Sequence, residues 1–260
     1  HLNQKNISGI YMINKKHKLC VVGSGYVGLA LAIELGKFFD TRCIDIDKRK
    51  INHLKKSVDI NNEYSEKEIN KSKFLSFTSS FNECKNYDVY FITVGTPIDE
   101  NNTPELDAIK NATISVGKIM KKESVVVYES TVYPGLTEEF CVPLLEKSSG
   151  LKYKKEFFVA YSPERINPGD KNMTIDKIKK IISADCEESL KIIKPIYKKI
   201  IKAGVHVAEN IKIAEAAKLI ENTQRDLNIA LINELSIIFN KMGISTSSVI
   251  EAAATKWNFM

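Results

Sequence analysis

The sequence of 260 residues predicts an α/β fold, in which a doubly wound parallel sheet is followed by a long central helix and the start of a helical domain. Two observations favour this class. Up to about Ile201, short apolar runs rich in β-branched residues alternate with helix-like segments, which is typical of a parallel sheet covered by helices on both faces. After Gly204, a helical pattern without glycine or proline replaces this alternation as far as Met242.

A glycine-rich turn joins the first predicted strand, Leu19–Val22, to the first predicted helix. Gly23 permits a tight turn, Gly25 lets backbone N–H groups approach a pyrophosphate, and Gly28 lets the helix pack closely on the strand. The positive end of the helix dipole favours phosphate at the same place. Glycine turns also arise for packing reasons alone, but the strand before this one and the helix after it indicate a Rossmann-like dinucleotide site.

An acid ends the second predicted strand, about 20 residues after the turn, where the dinucleotide rule places the ribose ligand. This residue is Asp45. A carboxylate accepts hydrogen bonds from ribose hydroxyls and repels a 2′-phosphate, so it predicts NAD rather than NADP. The neighbouring basic residues, Lys48 to Lys50, could soften that preference. The plain alternative is a surface acid before a turn.

The remaining elements follow in order along the chain. Further strands are predicted at 74–78, 88–94, 125–129, 157–161 and 180–183, with helices at 48–54, 107–120, 136–146 and 190–201 and a loop or short helix at 61–73. One long helix is predicted from Glu209 to Met242, ended by Gly243 as a C-cap. The hydroxyls of 245–248 predict the N-cap of a last helix at 249–254.

Composition excludes several classes of protein. No apolar run approaches the roughly 20 residues that a membrane helix needs. Five dispersed cysteines without a CxxC pair predict reduced thiols in the cytoplasm and no metal site. A net charge of +6 suits an anionic small molecule or a solvated lysine-rich surface. Because no basic stripe is interleaved with aromatic residues, no nucleic-acid partner is expected.

Three loops follow predicted strands at the edge where open α/β sheets bind ligands. They read VGTP from Val94, ESTV from Glu129 and SPERINPGD from Ser162. Each could be an ordinary turn or helix cap. On the long helix, Lys218 and Asn222 are four residues apart and share one face, although most helical lysines are simply solvated.

Taken together, these strings resemble the UDP-glucose/GDP-mannose dehydrogenase family from about Lys18 to the last residue. In order they are VVGSGYVGL, DIDKRKI, VGTP, ESTV, SPERINPGD and AEAAKLIEN. Six motifs in the correct order are far more specific than any one of them. The PER-type loop and the VGTPID stretch look most like the bacterial UDP-N-acetylhexosamine 6-dehydrogenases of capsule, O-antigen and Vi-type polysaccharide synthesis.

The resemblance implies oxidation of the C6 alcohol of a UDP-N-acetylhexosamine to a carboxylate, in two stages and with two NAD. Lys218 and Asn222 match family residues that stabilise developing oxyanion charge, and Glu164 matches the acid/base glutamate. The long helix would form a homodimer. The implied cofactor-binding residues are Gly23, Gly25, Tyr26, Val27, Gly28, Asp45, Lys50, Thr96 and Thr131. The implied catalytic residues are Thr131, Glu164, Lys218 and Asn222, and the implied substrate-binding residues are Glu164, Arg165, Ile166, Asn167, Lys218 and Asn222.

Two departures from the family pattern change the activity that we expect of this chain. Pro168 stands where some relatives carry a cofactor-contacting glutamate. The family's nucleophilic cysteine lies in a GGHC-type motif beyond the equivalent of Met260, so the chain is expected to be an inactive fragment that lacks the second oxidation step.

The predicted organisation is an N-terminal tail at 1–17, an NAD-binding domain at 18–205 and a truncated central dimerisation region at 206–260, with the C-terminal UDP-binding domain absent. Two other readings stay open, a non-catalytic NAD-binding or dimerisation module and a UDP-glucose 6-dehydrogenase. The sugar (gluco, galacto or manno) also stays open.

Overall fold

A computed structural model describes residues 17–167, 169 and 173–259. The predicted tail at 1–17 lies outside the described residues except for His17. Within the described part of the chain, eight strands form one sheet in the order β3-β2-β1-β4-β5-β6-β7-β8. The strands are β1 Leu19–Val22, β2 Thr41–Ile44, β3 Leu75–Thr78, β4 Val89–Ile92, β5 Val125–Tyr128, β6 Phe158–Tyr161, β7 Lys180–Ala184 and β8 Val205–Val207.

The helices agree with the predicted order. They are α1 Tyr26–Gly36, α2 Lys48–Leu54, α3 Glu66–Asn70, α4 Asp107–Gly117, α5 Val142–Ser149, α6 Glu187–Ile200, α7 Ile211–Lys241 and α8 Thr246–Ala253. The predicted helix at 136–146 is instead a π-helical turn, Thr137–Cys141, that runs into α5. The helix α6 begins three residues earlier than expected and carries Pro195 in its interior.

Strands β1 to β6 pair in parallel, which confirms the predicted doubly wound sheet. Their buried positions explain the continuous apolar runs, since every residue of β1, β4 and β5 is buried. Two features differ from the prediction. Strand β7 runs antiparallel to β6, and β8, which was not predicted, pairs in parallel with β7. The three residues of β8 are too few to give a periodic signal.

The chain divides into two compact units between Ala216 and Ala217, inside α7. The first contains the sheet and its covering helices. The second contains the rest of α7 and α8, and the side chain of Ser245 caps α8 as predicted. The boundary expected at 205/206 stays a prediction. None of the described helices combines the length and apolar character needed to cross a membrane.

Candidate active site at the carboxyl edge of the sheet

At two of the three glycines in the turn, the local geometry itself requires glycine. Gly23 adopts a positive φ of 101°, a conformation that favours glycine. A Cβ on Gly28 would lie 1.9 Å from the carbonyl oxygen of Gly23 and 2.4 Å from Oγ1 of Thr93. Glycine at both positions is therefore required by the fold itself.

Gly25 is different, because a Cβ placed there would meet no protein atom within 4 Å. Its backbone is extended (φ −66°, ψ −176°) and forms the N-cap of α1, so other residues could adopt it. Packing gives no reason for glycine here. The close approach of a phosphate to the N-terminus of α1 does give a reason for glycine at this position. The turn therefore fits the pyrophosphate of a dinucleotide.

Asp45 lies directly after β2 and is tied to the turn. Its Oδ2 accepts hydrogen bonds from the backbone N–H of Ser24 at 2.8 Å and from the Ser24 hydroxyl at 2.7 Å. Its Oδ1 accepts one from the N–H of Asp47 at 3.0 Å. Burial disfavours ionisation, but these hydrogen bonds outweigh it and hold the pKa of Asp45 below its ordinary value. The acid is thus ionised at neutral pH.

A cleft of about 380 Å³ runs along this edge of the sheet. Four of the predicted cofactor residues line it, namely Gly23, Gly25, Asp45 and Lys50. Its wall also contains Phe81 and the α4 residues Ala108, Asn111, Ala112 and Ser115, which sequence reasoning did not identify. Their signal was weak, because α4 reads as an ordinary amphipathic helix. Val27 is half-buried in the first turn of α1 and is not part of this lining.

Two predicted nicotinamide-side residues lie together after β4 and β5. The hydroxyl of Thr96 donates to the backbone carbonyl of Thr131 at 2.6 Å. The neighbouring Ser130 donates to the carbonyl of Val94 at 2.6 Å, so two side-chain hydrogen bonds tie these loops to each other. The structure thus brings VGTP and ESTV into one surface.

The loop after β6 carries the predicted acid/base residue. Glu164 is nearly buried, with 7% of its side chain exposed, and its Oε1 accepts the N–H groups of Arg165 and Ile166, both at 2.6 Å. The Arg165 guanidinium donates to the carbonyl of Lys179 at 2.7 Å. Pro168 lies outside the described residues.

A second cavity, of about 320 Å³, lies beside this loop. Its lining includes Ile166 and Asn167 together with Tyr26 from the glycine turn. Burial and the nearby Glu164 raise the pKa of the Tyr26 hydroxyl. The structure therefore places Tyr26 near the predicted substrate loop rather than in the cleft that contains Gly25 and Asp45.

Three charged or polar groups around Glu164 were missed by sequence reasoning. The Nζ of Lys180 lies 3.3 Å from Oε2 of Glu164 and 2.7 Å from Oε2 of Glu129. The hydroxyl of Tyr197 in α6 donates a short hydrogen bond to Oε1 of Glu129. A signal was present, since a lysine and a glutamate at the ends of apolar strands are seldom buried without partners.

Lys218 and Asn222 belong to the second unit, one turn apart on α7, and both are half-buried. The Oδ1 of Asn222 accepts a hydrogen bond from Arg225 at 2.7 Å. Their catalytic role stays a prediction. In the first unit, the start of α7 is anchored by Glu215, a fully buried carboxylate that accepts the N–H groups of Gly135 at 2.5 Å and Thr137 at 3.0 Å.

Comparison with known proteins extends these observations to the chain as a whole. Residues 17–201 match the NAD binding domain of the UDP-glucose/GDP-mannose dehydrogenase family, and residues 212–260 match its central domain. The chain is 52% identical to the UDP-N-acetyl-D-glucosamine 6-dehydrogenase of Pseudomonas aeruginosa over 95% of its length, and 49% identical to that of Salmonella typhi over 94%.

A solved structure of a UDP-D-ManNAc dehydrogenase from Pyrococcus horikoshii covers 93% of the chain with a TM-score of 0.88 at 30% identity. The chain spans 58% of that structure, and 58% and 57% of the two curated relatives. The matches confirm the predicted family, fold and cofactor. This chain belongs to the UDP-glucose/GDP-mannose dehydrogenase family and carries its NAD-binding domain.

Proposed function

We propose that this chain supplies the cofactor-binding part of a nucleotide-sugar 6-dehydrogenase, which oxidises the C6 alcohol of a UDP-N-acetylhexosamine to a carboxylate. The observation that carries the proposal is the shared sheet edge. There the phosphate-accepting turn at Gly25 and the acid Asp45 lie on the same edge as the buried carboxylate of Glu164. A dinucleotide site and a positioned acid/base group are the two parts that such an oxidation needs.

The residues of the chain divide the work between binding and proton transfer. The turn from Gly23 to Gly28 would hold the pyrophosphate at the N-terminus of α1, and Asp45 with Lys50 would hold the adenosine ribose. Thr96 and Thr131 would line the nicotinamide side. The chemistry that bound NAD would supply is acceptance of a hydride from C6 in each of the two oxidations.

We assign proton transfer to Glu164 and the stabilisation of negative charge to two residues of the second unit. Converting an alcohol to a carboxylate adds one water and releases protons as well as two hydrides. We assign the general-base role to Glu164, which takes a proton from the water that attacks the oxidised C6. Lys218 and Asn222, one turn apart on α7, would stabilise the oxygen as negative charge develops on it. Arg165, Ile166 and Asn167 contact the substrate.

Among the hexosamines we propose UDP-N-acetyl-D-glucosamine. The two relatives with that sugar in their names are 52% and 49% identical to this chain, whereas the UDP-D-ManNAc dehydrogenase is 30% identical. A product of this class suits the synthesis of a surface polysaccharide such as a capsule or O-antigen.

We also propose a cytoplasmic homodimer that associates through α7. Within the second unit, α7 exposes seven large apolar side chains to solvent: Leu219, Ile220, Leu227, Ile229, Leu231, Ile237 and Ile238, each at least half exposed. An exposed set of this size on one helix is typical of an interface. We propose no nucleic-acid or membrane partner.

The test is a substrate panel on the full-length polypeptide encoded by the gene, scored by NADH formation. We expect two NADH per molecule of UDP-N-acetyl-D-glucosamine, less activity with the galacto and manno isomers and UDP-glucose, and strong loss in Glu164→Gln. Faster oxidation of UDP-glucose would contradict the substrate assignment. NAD binding without NADH from any sugar would favour the non-catalytic module.

A further inference from the structure

A buried ion cluster surrounds the carboxylate of Glu164. The ammonium of Lys180 lies between Oε2 of Glu129 at 2.7 Å and Oε2 of Glu164 at 3.3 Å. The exposed fractions of these three side chains are 3%, 0% and 7%. Buried charges at these distances interact strongly because little water screens them.

The reversal of β7 explains how a lysine from the start of a strand reaches the ligand-binding edge. In the antiparallel register Ala160 pairs with Ala184 and Tyr161 with Ser183. Continued past the end of β6, that register places residue 164 opposite residue 180. A parallel β7 would start at the other edge of the sheet, away from Glu164. Because β5 and β6 are parallel, Glu129 follows Tyr128 at the same edge as the loop after Tyr161.

The cluster contains one more carboxylate than ammonium. Burial raises the pKa of Glu129, and Lys180 offsets that effect only in part. Burial also disfavours the charged form of Lys180, but the two carboxylates outweigh it and raise the pKa of the ammonium. Lys180 is therefore charged at neutral pH, and the second carboxylate makes the cluster a site that can accept a proton.

The described ionisable groups around Glu164 also include three tyrosines and Arg165. The tyrosines come from separate elements, Tyr26 from α1, Tyr64 from the segment before α3 and Tyr197 from α6, and the charge of Glu164 acts on each hydroxyl. Burial raises the pKa of all three hydroxyls, to about 12 for Tyr64. The guanidinium of Arg165 donates to the carbonyl of Lys179. Within the described residues, the carboxylates of this cluster are therefore the two glutamates, and both lie against the ammonium of Lys180.

We propose that Lys180 is a positioning residue for Glu164, which it orients and keeps ionised. Glu129 partly offsets the positive charge of Lys180, so that Glu164 can still accept a proton. The inference rests on the proposed function, because it gives Glu164 its acid/base role. Oε1 of Glu164 is held by two backbone N–H groups, so the contact of Lys180 with Oε2 fixes the remaining oxygen.

The competing explanation is that the ions merely hold the loop after β6 in place. The two explanations predict different shifts in the pH at which the cluster takes up a proton. If the cluster sets the charge of the base, removing the ammonium raises the pH at which the cluster takes up a proton, and removing Glu129 lowers it. A purely structural role gives loss of activity or stability in both variants without opposite shifts.

The test compares Lys180→Met, Glu129→Gln and the double variant in the 260-residue chain. Side-chain carboxyl ¹³C NMR of labelled glutamate follows proton uptake, and Glu164→Gln and Glu129→Gln assign the two signals. We expect the midpoint to rise by at least about one pH unit in Lys180→Met, because a nearby opposite charge favours the ionised carboxyl, and to fall by a similar amount in Glu129→Gln, because a nearby like charge disfavours it. The double variant should return towards the wild-type midpoint.

Shifts of the same sign, or none, would overturn the inference. If Lys180→Met does not fold, the near-isosteric Glu129→Gln decides alone, and a midpoint that fails to fall refutes the proposal. In the full-length enzyme, the acid limb of the pH–rate profile should move in the same directions. Absence of NADH formation by the wild type would instead count against the proposed function, while the NMR titration still decides the charge relation.

Discussion

Replacing Gly25 with alanine should separate cofactor binding from folding. The new Cβ would meet no protein atom within 4 Å, and the extended backbone at this N-cap accepts alanine. Alanine restricts the unfolded chain, which stabilises a protein by about 0.4–1 kcal/mol, but it is a poorer N-cap than glycine by a similar amount. We therefore expect the free energy of unfolding to change by less than about 0.5 kcal/mol.

NAD binding should respond much more strongly. The methyl group of alanine would occupy the space where the pyrophosphate approaches the N–H groups of the turn. Loss of one hydrogen bond to a charged group costs about 1.5–3 kcal/mol. That range corresponds to a roughly 10- to 150-fold weaker affinity.

The matched control is Gly28→Ala, three residues further along the same turn. Its Cβ would lie 1.9 Å from the Gly23 carbonyl, so the backbone must move. We expect a loss of about 2 kcal/mol, which lowers Tm by roughly 4–8 °C in a unit of this size. Calorimetric titration with NAD and thermal unfolding of both variants provide the two readouts. Wild-type NAD affinity in Gly25→Ala would refute the assignment of Gly25 to the pyrophosphate.

Four further predictions concern other parts of the chain. Asp45→Asn should gain affinity for NADP more than it loses affinity for NAD in parallel titrations. Because the folded-state pKa of Asp45 is lowered, its ionised form stabilises the fold at neutral pH, and the stability difference from Asp45→Asn should vanish as pH falls through that pKa. Glu215→Gln should lower the free energy of unfolding by about 1–3 kcal/mol, since an amide cannot accept the N–H groups of both Gly135 and Thr137. The control Lys212→Met, on the same helix, removes an exposed ion pair with Glu139 and should leave Tm nearly unchanged. Lys218→Ala in the full-length enzyme should lower kcat about 10²-fold or more without weakening NAD binding, and an unchanged kcat would make it an ordinary helical lysine. Sedimentation should show a dimer that Leu231→Glu dissociates; a wild-type monomer at high concentration would contradict the interface on α7.

The shared location of the glycine turn and Asp45 could be predicted because its determinants are local. The turn from Gly23 to Gly28 and the acid Asp45 lie within one strand-helix-strand unit, so their spacing alone places them together. The long helix α7 could also be predicted, because a helical pattern that continues without interruption over 31 residues is not compatible with a strand or a loop. The same logic found α8, through the hydroxyl cap at Ser245.

The ion cluster could not be predicted in this way. Lys180 is 51 residues from Glu129 and 16 from Glu164, and its position depends on the direction in which β7 enters the sheet. A five-residue strand with one lysine followed by four apolar or small residues has the same pattern whether it runs parallel or antiparallel. Sequence reasoning therefore located the strand but not the partner of its first residue.

The hydrogen bonds of Asp45 bear on the predicted preference for NAD over NADP. A carboxylate offers about four lone-pair positions, and Ser24 and Asp47 already fill three of them. Only one position on Oδ1 is left for a ribose hydroxyl, so hydrogen bonding alone contributes modestly to NAD affinity. The negative charge, which those same hydrogen bonds stabilise, remains fully available to repel a 2′-phosphate. We therefore predict that discrimination between NAD and NADP at this site depends more on the charge of Asp45 than on the hydrogen bonds that it can still accept.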